Sequence, residues 1–487
     1  MNVSSAGIVD ALRKAGLLRE IVGELPGEFS SISSDTRGVI PGGLFVAVKG
    51  AVRDGHEFIG QAFERGSSAA IVGEPDDPHR PLIVVNNTRR AAATAAAVAY
   101  EWPARKLRFI GVTGTNGKTT TVSIIRHLLN CPDTPAASVG TLGVLDGAGH
   151  PLPGGDGLTT PGPIELQRLL RQLVDLGVKI VAMEVSSHSL DQHRVEGVTF
   201  DAAVYTNLTR DHLDYHRTME AYFAAKAKLI PLLSSEGTAI INADAEEWSQ
   251  LPAAPKQLTY GIAAKADVMA EDTRIDAAGS HWMLSARGER APVALPLIGA
   301  VNVQNALAAA ATALALGVTV EDCAQRLTSL PQVPGRLERI ASDPAVLRDY
   351  AHTPDALERT LGSARQLTNG KLIVVFGCGG ERDRGKRPLM GAVAEKLSDV
   401  AIVTSDNPRR EDPDEIINEI EAGMTMNNHE RVTDRRAAIE RALAIAGPDD
   451  LVVLAGKGHE TYQIRGTQSF PFDERDIVRE IREARVG

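Results

Sequence analysis

Cysteine is scarce in this chain: three residues, Cys131, Cys323 and Cys378, are scattered over 487 positions. So few, so far apart, they build neither a disulfide framework nor a cysteine-rich metal centre, and a reducing compartment suits them best. Long hydrophobic runs are missing too. The most apolar helical stretch, Asn305–Val318, is alanine-rich and too short to span a bilayer. No basic segment leads into an apolar one at the start, so no signal peptide is expected and the chain reads as cytoplasmic, with no membrane partner. Positive charge is not in excess: 62 acidic against 52 basic residues leave a net charge of −10, which offers no broad attraction to nucleic acid. Internal repeats and low-complexity tracts are also absent.

What is present is ordinary for a globular protein, with 43% apolar and 23% charged residues in a length that suits two to four domains. Two proline-bearing breaks, Glu101–Lys106 and Leu330–Arg336, divide it into residues 1–104, 105–335 and 336–487. The first part alternates short β-runs (Leu44–Val48, Ala69–Val72, Leu82–Val85) with helical stretches such as Thr88–Tyr100. The second opens with a strand over 108–113 and a helix over 118–130. Its apolar runs Ile180–Met183, Ala202–Tyr205 and Ala239–Ile241 suit strands covered on both faces, as in a parallel sheet. In the third, Leu372–Phe376, Val400–Thr404 and Leu451–Leu454 each precede a loop and a helical pattern, which is the order of a doubly wound sheet. The expectation is an α/β protein of three domains: an N-terminal α/β domain, a central P-loop ATPase-like parallel sheet and a C-terminal Rossmann-like domain.

The stretch Gly111–Thr120, GVTGTNGKTT, ends in the Gly-Lys-Thr of a phosphate-cradling loop but carries Val112 where the usual spacing has glycine. A strand, a glycine-rich turn and a helix beginning near Lys118 put N–H groups and a helix N-terminus around a phosphate. Lys118 can neutralise β- and γ-phosphates, and Thr119 can offer its hydroxyl to Mg²⁺. After the strand 180–183 comes Glu184, at the sheet edge where a nucleotide-bound Mg²⁺ would lie, and then His188, Gln192 and Arg194. After the strand 202–205 comes His212, sent to the same side. Each of these residues alone is an ordinary polar group; their shared place after two strands of a P-loop domain makes them candidates. Helix 218–230 sets Tyr222 and Lys226 four apart on one face, and composition alone makes Lys226 a solvated lysine.

These stretches together resemble the Mur ligases, ATP-dependent amide-forming enzymes of peptidoglycan precursor synthesis. The family's loop reads T-G-T-[NK]-G-K-[ST], here Thr113–Thr119, which accounts for the displaced glycine. DHLDYH, YFAAK, GAVNVQNALAAA (299–310), PGRLE (334–338) and DYAHTPDALE (349–358) are similar to further family blocks, so the resemblance spans essentially the whole chain. It implies that Gly114, Thr115, Asn116, Gly117, Lys118, Thr119 and Thr120 cradle ATP, with Asn302, Arg336, Asp349 and His352 around its base, ribose and phosphates. It implies two Mg²⁺ ions, held by Thr119, Glu184, His212 and a Lys226 carbamylated by CO₂. Lys118, Glu184, His212 and Lys226 are then the catalytic set. Val301 stands where the family commonly has an aromatic residue.

Loops 377–388, 405–412 and 456–460 each leave the carboxyl end of an expected parallel strand and bring Arg382 and Arg409 with Asp406 and Glu460. Guanidinium forks suit carboxylates and acids suit ammonium groups, so both signs together suggest an amino-acid site. Asp406-Asn407-Pro408-Arg409 resembles the signature of family members that use meso-diaminopimelate, whose second carboxylate calls for an extra arginine; Gly456 and Glu460 are expected beside it. For the other substrate, the resemblance places Ser34 and Thr36 near uridine. It sets Thr159, Thr160, Ser186, Gln192, Arg194 and Lys226 near the peptide and pyrophosphate of UDP-N-acetylmuramoyl-L-alanyl-D-glutamate, with Ala51-Val52-Arg53 the weakest match. The expected partners are these small molecules alone, and the expected state is a monomer. A lysine-adding ligase, a folylpolyglutamate-synthase-like ligase and a slow P-loop switch are the alternatives. Arg409, the resemblance over 33–55 and the second doubly wound domain argue against each in turn.

Overall fold

The computed structural model describes all residues except Met1, Ala51, Val52, Asp76, Pro78, Asp156, Ala277 and Gly487, and describes only the backbone of Arg485 and Val486. Its contacts group the chain into two units, 1–268 with 307–319 and 269–306 with 320–487. It is a mixed α/β structure throughout.

The first unit holds a five-stranded sheet, a larger sheet and a small antiparallel pair, Val3–Ser4 with Glu28–Phe29. In the five-stranded, N-terminal sheet the strands run Leu18–Val22, Leu82–Val85, Ser67–Val72, Gly43–Val46 and Ile32–Ser33, with only the first pair antiparallel. Helices Ser5–Lys14 and Thr88–Ala99 bury Ile8, Leu12, Ala92 and Ala95 against one face, while Ile59 and Ala62 cover the other. Asn87 caps the second helix by accepting from Arg90 N at 3.1 Å, which stops the preceding strand and starts the helix within three residues.

The larger sheet of this unit is parallel in the order Ala136–Gly140, Ile180–Glu184, Arg108–Thr113, Phe200–Tyr205, Leu233–Asn242, Lys256–Gly261. Its central strands are buried along their length, as their unbroken apolar runs require. Gly111 is obligatory here: a Cβ would stand 2.8 Å from the Phe200 ring. The helix expected over 218–230 is shorter, Met219–Ala227; it gives way to a 3₁₀ turn, Ile230–Leu232, because Pro231 cannot continue an α-helical ladder.

The second unit contains the strands Val268–Asp276, Gly279–Ala286 and Glu289–Leu295 and a six-stranded sheet. The six run Glu338–Ser342, Ala345–Asp349, Leu451–Ala455, Leu372–Phe376, Val400–Val403, His429–Arg431, parallel after the first pair. Both faces carry helices: Pro354–Arg365, Lys386–Leu397 and Pro413–Glu421 on one side, Arg435–Ile445 and Glu474–Val486 on the other. Among the described residues no helix is long and apolar enough to cross a membrane.

Candidate active site

In the first unit the strand Arg108–Thr113 fixes the site by its register. Glu184 lies opposite Val112 on one neighbour and Tyr205 opposite Thr113 on the other, so segments 114–117, 185–187 and 206–209 leave the sheet side by side. Gly114 has φ +144° and Gly117 +85°. A Cβ at Gly114 would fall 1.9 Å from Thr206 Oγ1, so the loop closes onto Thr206 only with glycine there. The segment after the second strand then braces the loop: Thr206 Oγ1 donates to Asn116 O at 2.7 Å, Asn116 N to Asn207 Oδ1 at 2.9 Å and Thr115 N to Asn207 O at 2.8 Å. Helix Lys118–Leu129 opens directly after it, with Thr119 and Thr120 buried in its first turn. The positive end of that helix is thereby set beside the glycine turn, as an anion site needs. Lys118 Nζ folds back onto the loop, donating to Gly114 O at 3.0 Å and Thr115 O at 2.8 Å.

Lys226 is not the solvated lysine that composition suggests. It is 1% exposed, its Nζ donates to Gly114 O at 2.7 Å and lies 4.4 Å from the centre of the Tyr222 ring. Burial, and then the charge of Lys118, pushes its pKa well below the ordinary lysine value. The helix that carries it has little amphipathic contrast, and its acceptor lies over a hundred residues away, so nothing local in the sequence betrays this. Tyr222 ties the same helix to the loop through its hydroxyl, 3.2 Å from Thr115 Oγ1.

His212, with φ +54°, opens the short helix Leu213–His216 and sets its ring 4.8 Å from that of His188 and 6.1 Å from that of Tyr222. His188 also packs on Tyr215 and His216, at 4.3 and 5.4 Å. Burial and the neighbouring His212 and His216 lower its pKa to about 4, so it is a neutral imidazole at physiological pH. Glu184 belongs to a different bonded group. It is 1% exposed and accepts from Thr141 N at 2.8 Å and from Thr141 Oγ1 at 3.2 Å. Gly140 makes room for it, since a Cβ there would stand 2.4 Å from Glu184 Oε1.

Around Glu184 the structure joins most residues expected at the peptide substrate into one network. Thr160 Oγ1 donates to Glu184 O at 2.9 Å and accepts from Ser186 N at 3.1 Å; Thr159 Oγ1 lies 3.3 Å from Thr141 Oγ1. Arg194 donates to Thr160 O at 2.9 Å and to Gln192 Oε1 at 2.8 Å, and Gln192 reaches the Tyr215 hydroxyl at 3.3 Å. Ser34 and Thr36 sit elsewhere, on the N-terminal sheet's loops, where Thr36 Oγ1 donates to Gln61 Oε1 at 2.8 Å and Ser34 is exposed. Of the stretch 51–53, Ala51 and Val52 lie outside the described residues.

The second unit carries the other candidates in two groups. Asp349, at a strand end, accepts from Leu337 N at 2.7 Å, Ala351 N at 2.9 Å and Thr360 Oγ1 at 2.9 Å; burial raises its pKa, and nearby Arg336 works against that rise. Arg336 lies over the Tyr350 ring, 4.7 Å from its centre, and His352 packs on the same tyrosine at 4.6 Å. Asn302 is buried at the start of helix Ala300–Ala315, donating to Ile298 O at 2.9 Å.

The loops 377–388, 405–412 and 456–460 do converge. Asn407 Nδ2 donates to Glu460 Oε2 at 2.8 Å, and a Cβ at Gly456 would meet Asp406 Oδ2 at 2.5 Å. Arg409, with φ +53°, donates from Nη1 to Gly380 O at 2.7 Å. A Cβ on Gly379 would meet Arg409 Nη1 at 3.1 Å and Arg382 Cγ at 3.7 Å, so both guanidinium-bearing chains flank that glycine. Pro408 O lies 2.0 Å from where a Cβ of Gly380 would be, locking the two loops together.

Sequence reasoning passed over the supports. Thr141 gives no local signal. Thr206 and Asn207, directly after an expected strand, were open to the same argument as Glu184. Lys457 was legible as a charge in GKGHE, but not its burial, and the hairpin Tyr462–Arg465 and Gln468–Pro471 was not read at all.

Three family models match the chain: "Mur ligase family, catalytic domain" over residues 28–108, "Mur ligase middle domain" over 112–313 and "Mur ligase, glutamate ligase domain" over 335–458. The UDP-N-acetylmuramoyl-L-alanyl-D-glutamate–2,6-diaminopimelate ligase of Geobacillus kaustophilus is 44% identical over 462 residues, covering 92% of this chain and 94% of its own length. The like-named ligase of Gloeobacter violaceus is 45% identical over 466 residues, covering 93% and 94%. A solved structure of a UDP-N-acetylmuramoyl-L-alanyl-D-glutamate–2,6-diaminopimelate ligase superposes over 100% of both chains with a TM-score of 0.68 and 33% identity.

Proposed function

This chain belongs to the Mur ligase family, and we propose that it joins meso-2,6-diaminopimelate to the D-glutamate of UDP-N-acetylmuramoyl-L-alanyl-D-glutamate in peptidoglycan precursor synthesis. It is an ATP-dependent, ADP-forming amide ligase. The names and near-complete coverage of its relatives support this reading. The observation that carries it is the loop cluster in which Arg409 and Arg382 flank Gly379 while Asn407 holds Glu460. Guanidinium groups for a carboxylate and acids for an ammonium suit the far end of a diamino diacid.

A carboxylate is a poor electrophile until ATP converts it to an acyl phosphate, with loss of ADP. The substrate amine then attacks the carbonyl carbon and phosphate leaves. Bringing a carboxylate to the γ-phosphate gathers like charges, so cations must offset them. Lys118 and the helix N-terminus at residues 117–119 supply part of this, and Gly114–Thr120 wrap the phosphates. Asn302, Arg336, Asp349 and His352 take the rest of the nucleotide. Ser34 and Thr36 take the uridine end of the other substrate, and Thr159, Thr160, Ser186, Gln192 and Arg194 its peptide and pyrophosphate.

The residues present suit Mg²⁺. Among the described residues no group of three or more His, Cys, Asp and Glu side chains forms a ready metal cage. Mg²⁺ shared between one or two protein oxygens and phosphate oxygens needs none. Glu184 and Thr119 would hold one ion, His212 and a carbamylated Lys226 a second, and the pair would neutralise the phosphates and keep the reacting groups in line. The neutral amine is the form whose nitrogen adds to CO₂, releasing a proton as the carbamate forms, and the lowered pKa of Lys226 favours that form. The reading also places three domains at 1–104, 105–335 and 336–487 and a monomer in the cytoplasm.

The test is ADP release with UDP-muramoyl-dipeptide and either meso-diaminopimelate or L-lysine. Release that needs both substrates and strongly prefers the diacid is expected. Equal use of lysine, or ATP hydrolysis indifferent to either substrate, would sink the assignment.

A further inference from the structure

We propose that Lys457 is a charge-balancing and positioning residue that sets the preference for a doubly charged over a singly charged amino-acid tail; this rests on the function proposed above. Lys457 is 0% exposed, an unusual state for a lysine, and its Nζ lies 6.0 Å and 5.9 Å from the centres of the Tyr462 and Phe472 rings. Its Nζ donates to Asn407 Oδ1 at 3.1 Å and to Glu460 Oε2 at 3.4 Å, and lies 4.0 Å from Asp406 Oδ1.

Two consequences follow from this placement. First, Asn407 Oδ1 is occupied by Lys457 and by Ile464 N at 2.9 Å, so its amide has one orientation, with Nδ2 turned to Glu460. Second, Lys457 offsets one of two carboxylates. Asp406, Glu460 and Arg409 all act on the Tyr462 hydroxyl, so they share one neighbourhood. With Arg382 beside Arg409 at Gly379, the fixed charges sum to +1 when Lys457 is counted, which opposes a tail that brings an ammonium alone, as lysine's does, and admits one that brings a carboxylate as well. Without Lys457 they sum to zero and that opposition is lost. A buried cation among acids is therefore part of the selection against lysine.

The experiment is steady-state kinetics of the full chain with meso-diaminopimelate and with L-lysine, for the wild type, Lys457→Met and Lys457→Arg. In Lys457→Met, kcat/KM for diaminopimelate falls at least tenfold, the ratio of the two amino acids narrows at least fivefold, and KM for ATP stays within twofold. Lys457→Arg, which keeps the charge, keeps the ratio. Should Lys457→Met not be recovered folded, Lys457→Gln is read by the same ratio. An unchanged ratio, or a loss shared equally by ATP, overturns the role of Lys457 alone. A wild type that uses neither amino acid overturns the proposed function, and this inference with it.

Discussion

Lys118 and Lys226 donate to the same acceptor, the carbonyl oxygen of Gly114, at 3.0 and 2.7 Å. Two amines converging on one oxygen repel when both are charged, and the buried one yields: the charge of Lys118 adds to burial in depressing the pKa of Lys226. Lys226→Ala is expected to lower kcat by about a hundredfold or more, the usual scale for losing one group that stabilises a transition state. Enzyme stripped of CO₂ loses activity and regains it with bicarbonate, whereas the alanine variant does not respond. Wild-type rates unaffected by CO₂ removal would eliminate the carbamate.

The closure of the phosphate loop on Thr206 makes Gly114 the most sensitive position in it. Gly114→Ala forces a Cβ to within 1.9 Å of Thr206 Oγ1 at a φ of +144°. Such backbone strain costs about 1–3 kcal/mol. ATP affinity, measured by calorimetry, should fall about five- to 150-fold while binding of diaminopimelate changes little.

Arg409 belongs to the loop cluster of the second unit, where it donates to Gly380 O, while the phosphate loop belongs to the first. Arg409→Ala is therefore expected to cost about 2 kcal/mol or more in use of diaminopimelate, roughly a thirtyfold loss, with KM for ATP unchanged. Parallel damage to both constants would refute the placement of the far carboxylate.

His188 gives a pH signature. Its pKa in the fold is about 4 against an ordinary 6.5. Between those values the unfolded chain binds a proton that the folded chain refuses, so stability is lost as pH falls from 6.5 towards 4. His188→Gln should make that loss shallower, seen as a smaller drop in urea midpoint between pH 7 and pH 4.5. His212 and His216 are shifted the same way and keep the remainder of the slope.

The parallel strands were legible because burial on both faces writes itself as unbroken apolar runs. Arg108–Thr113, Leu82–Val85 and Leu372–Phe376 begin and end where the sequence suggests. The strands Gly279–Ala286 and Glu289–Leu295 went unread because their burial alternates residue by residue, and such short alternation is faint beside a long helix pattern. At the site, the candidate residues stand in quotable blocks, but what holds them does not. Thr141 supports Glu184 from across 43 positions, and Lys226 reaches Gly114 across 112. Interactions of that span are set by sheet order, which no local window contains.

The turn at 406–409 is fastened to the hairpin that follows Glu460 chiefly through the hairpin's main chain. Ile464 N donates to Asn407 Oδ1, Arg409 N to Ile464 O and Gly466 N to Arg409 O, at 2.9, 3.1 and 2.6 Å; Gln463 contributes its side chain, to Asp406 O at 2.7 Å. Letters along the hairpin's outer face can thus drift without moving the guanidinium of Arg409. Inserting or deleting a single residue between 462 and 466 would slip every fastening at once. Under the proposed function, fidelity in choosing the amino acid would be guarded by the count of residues more than by their identity.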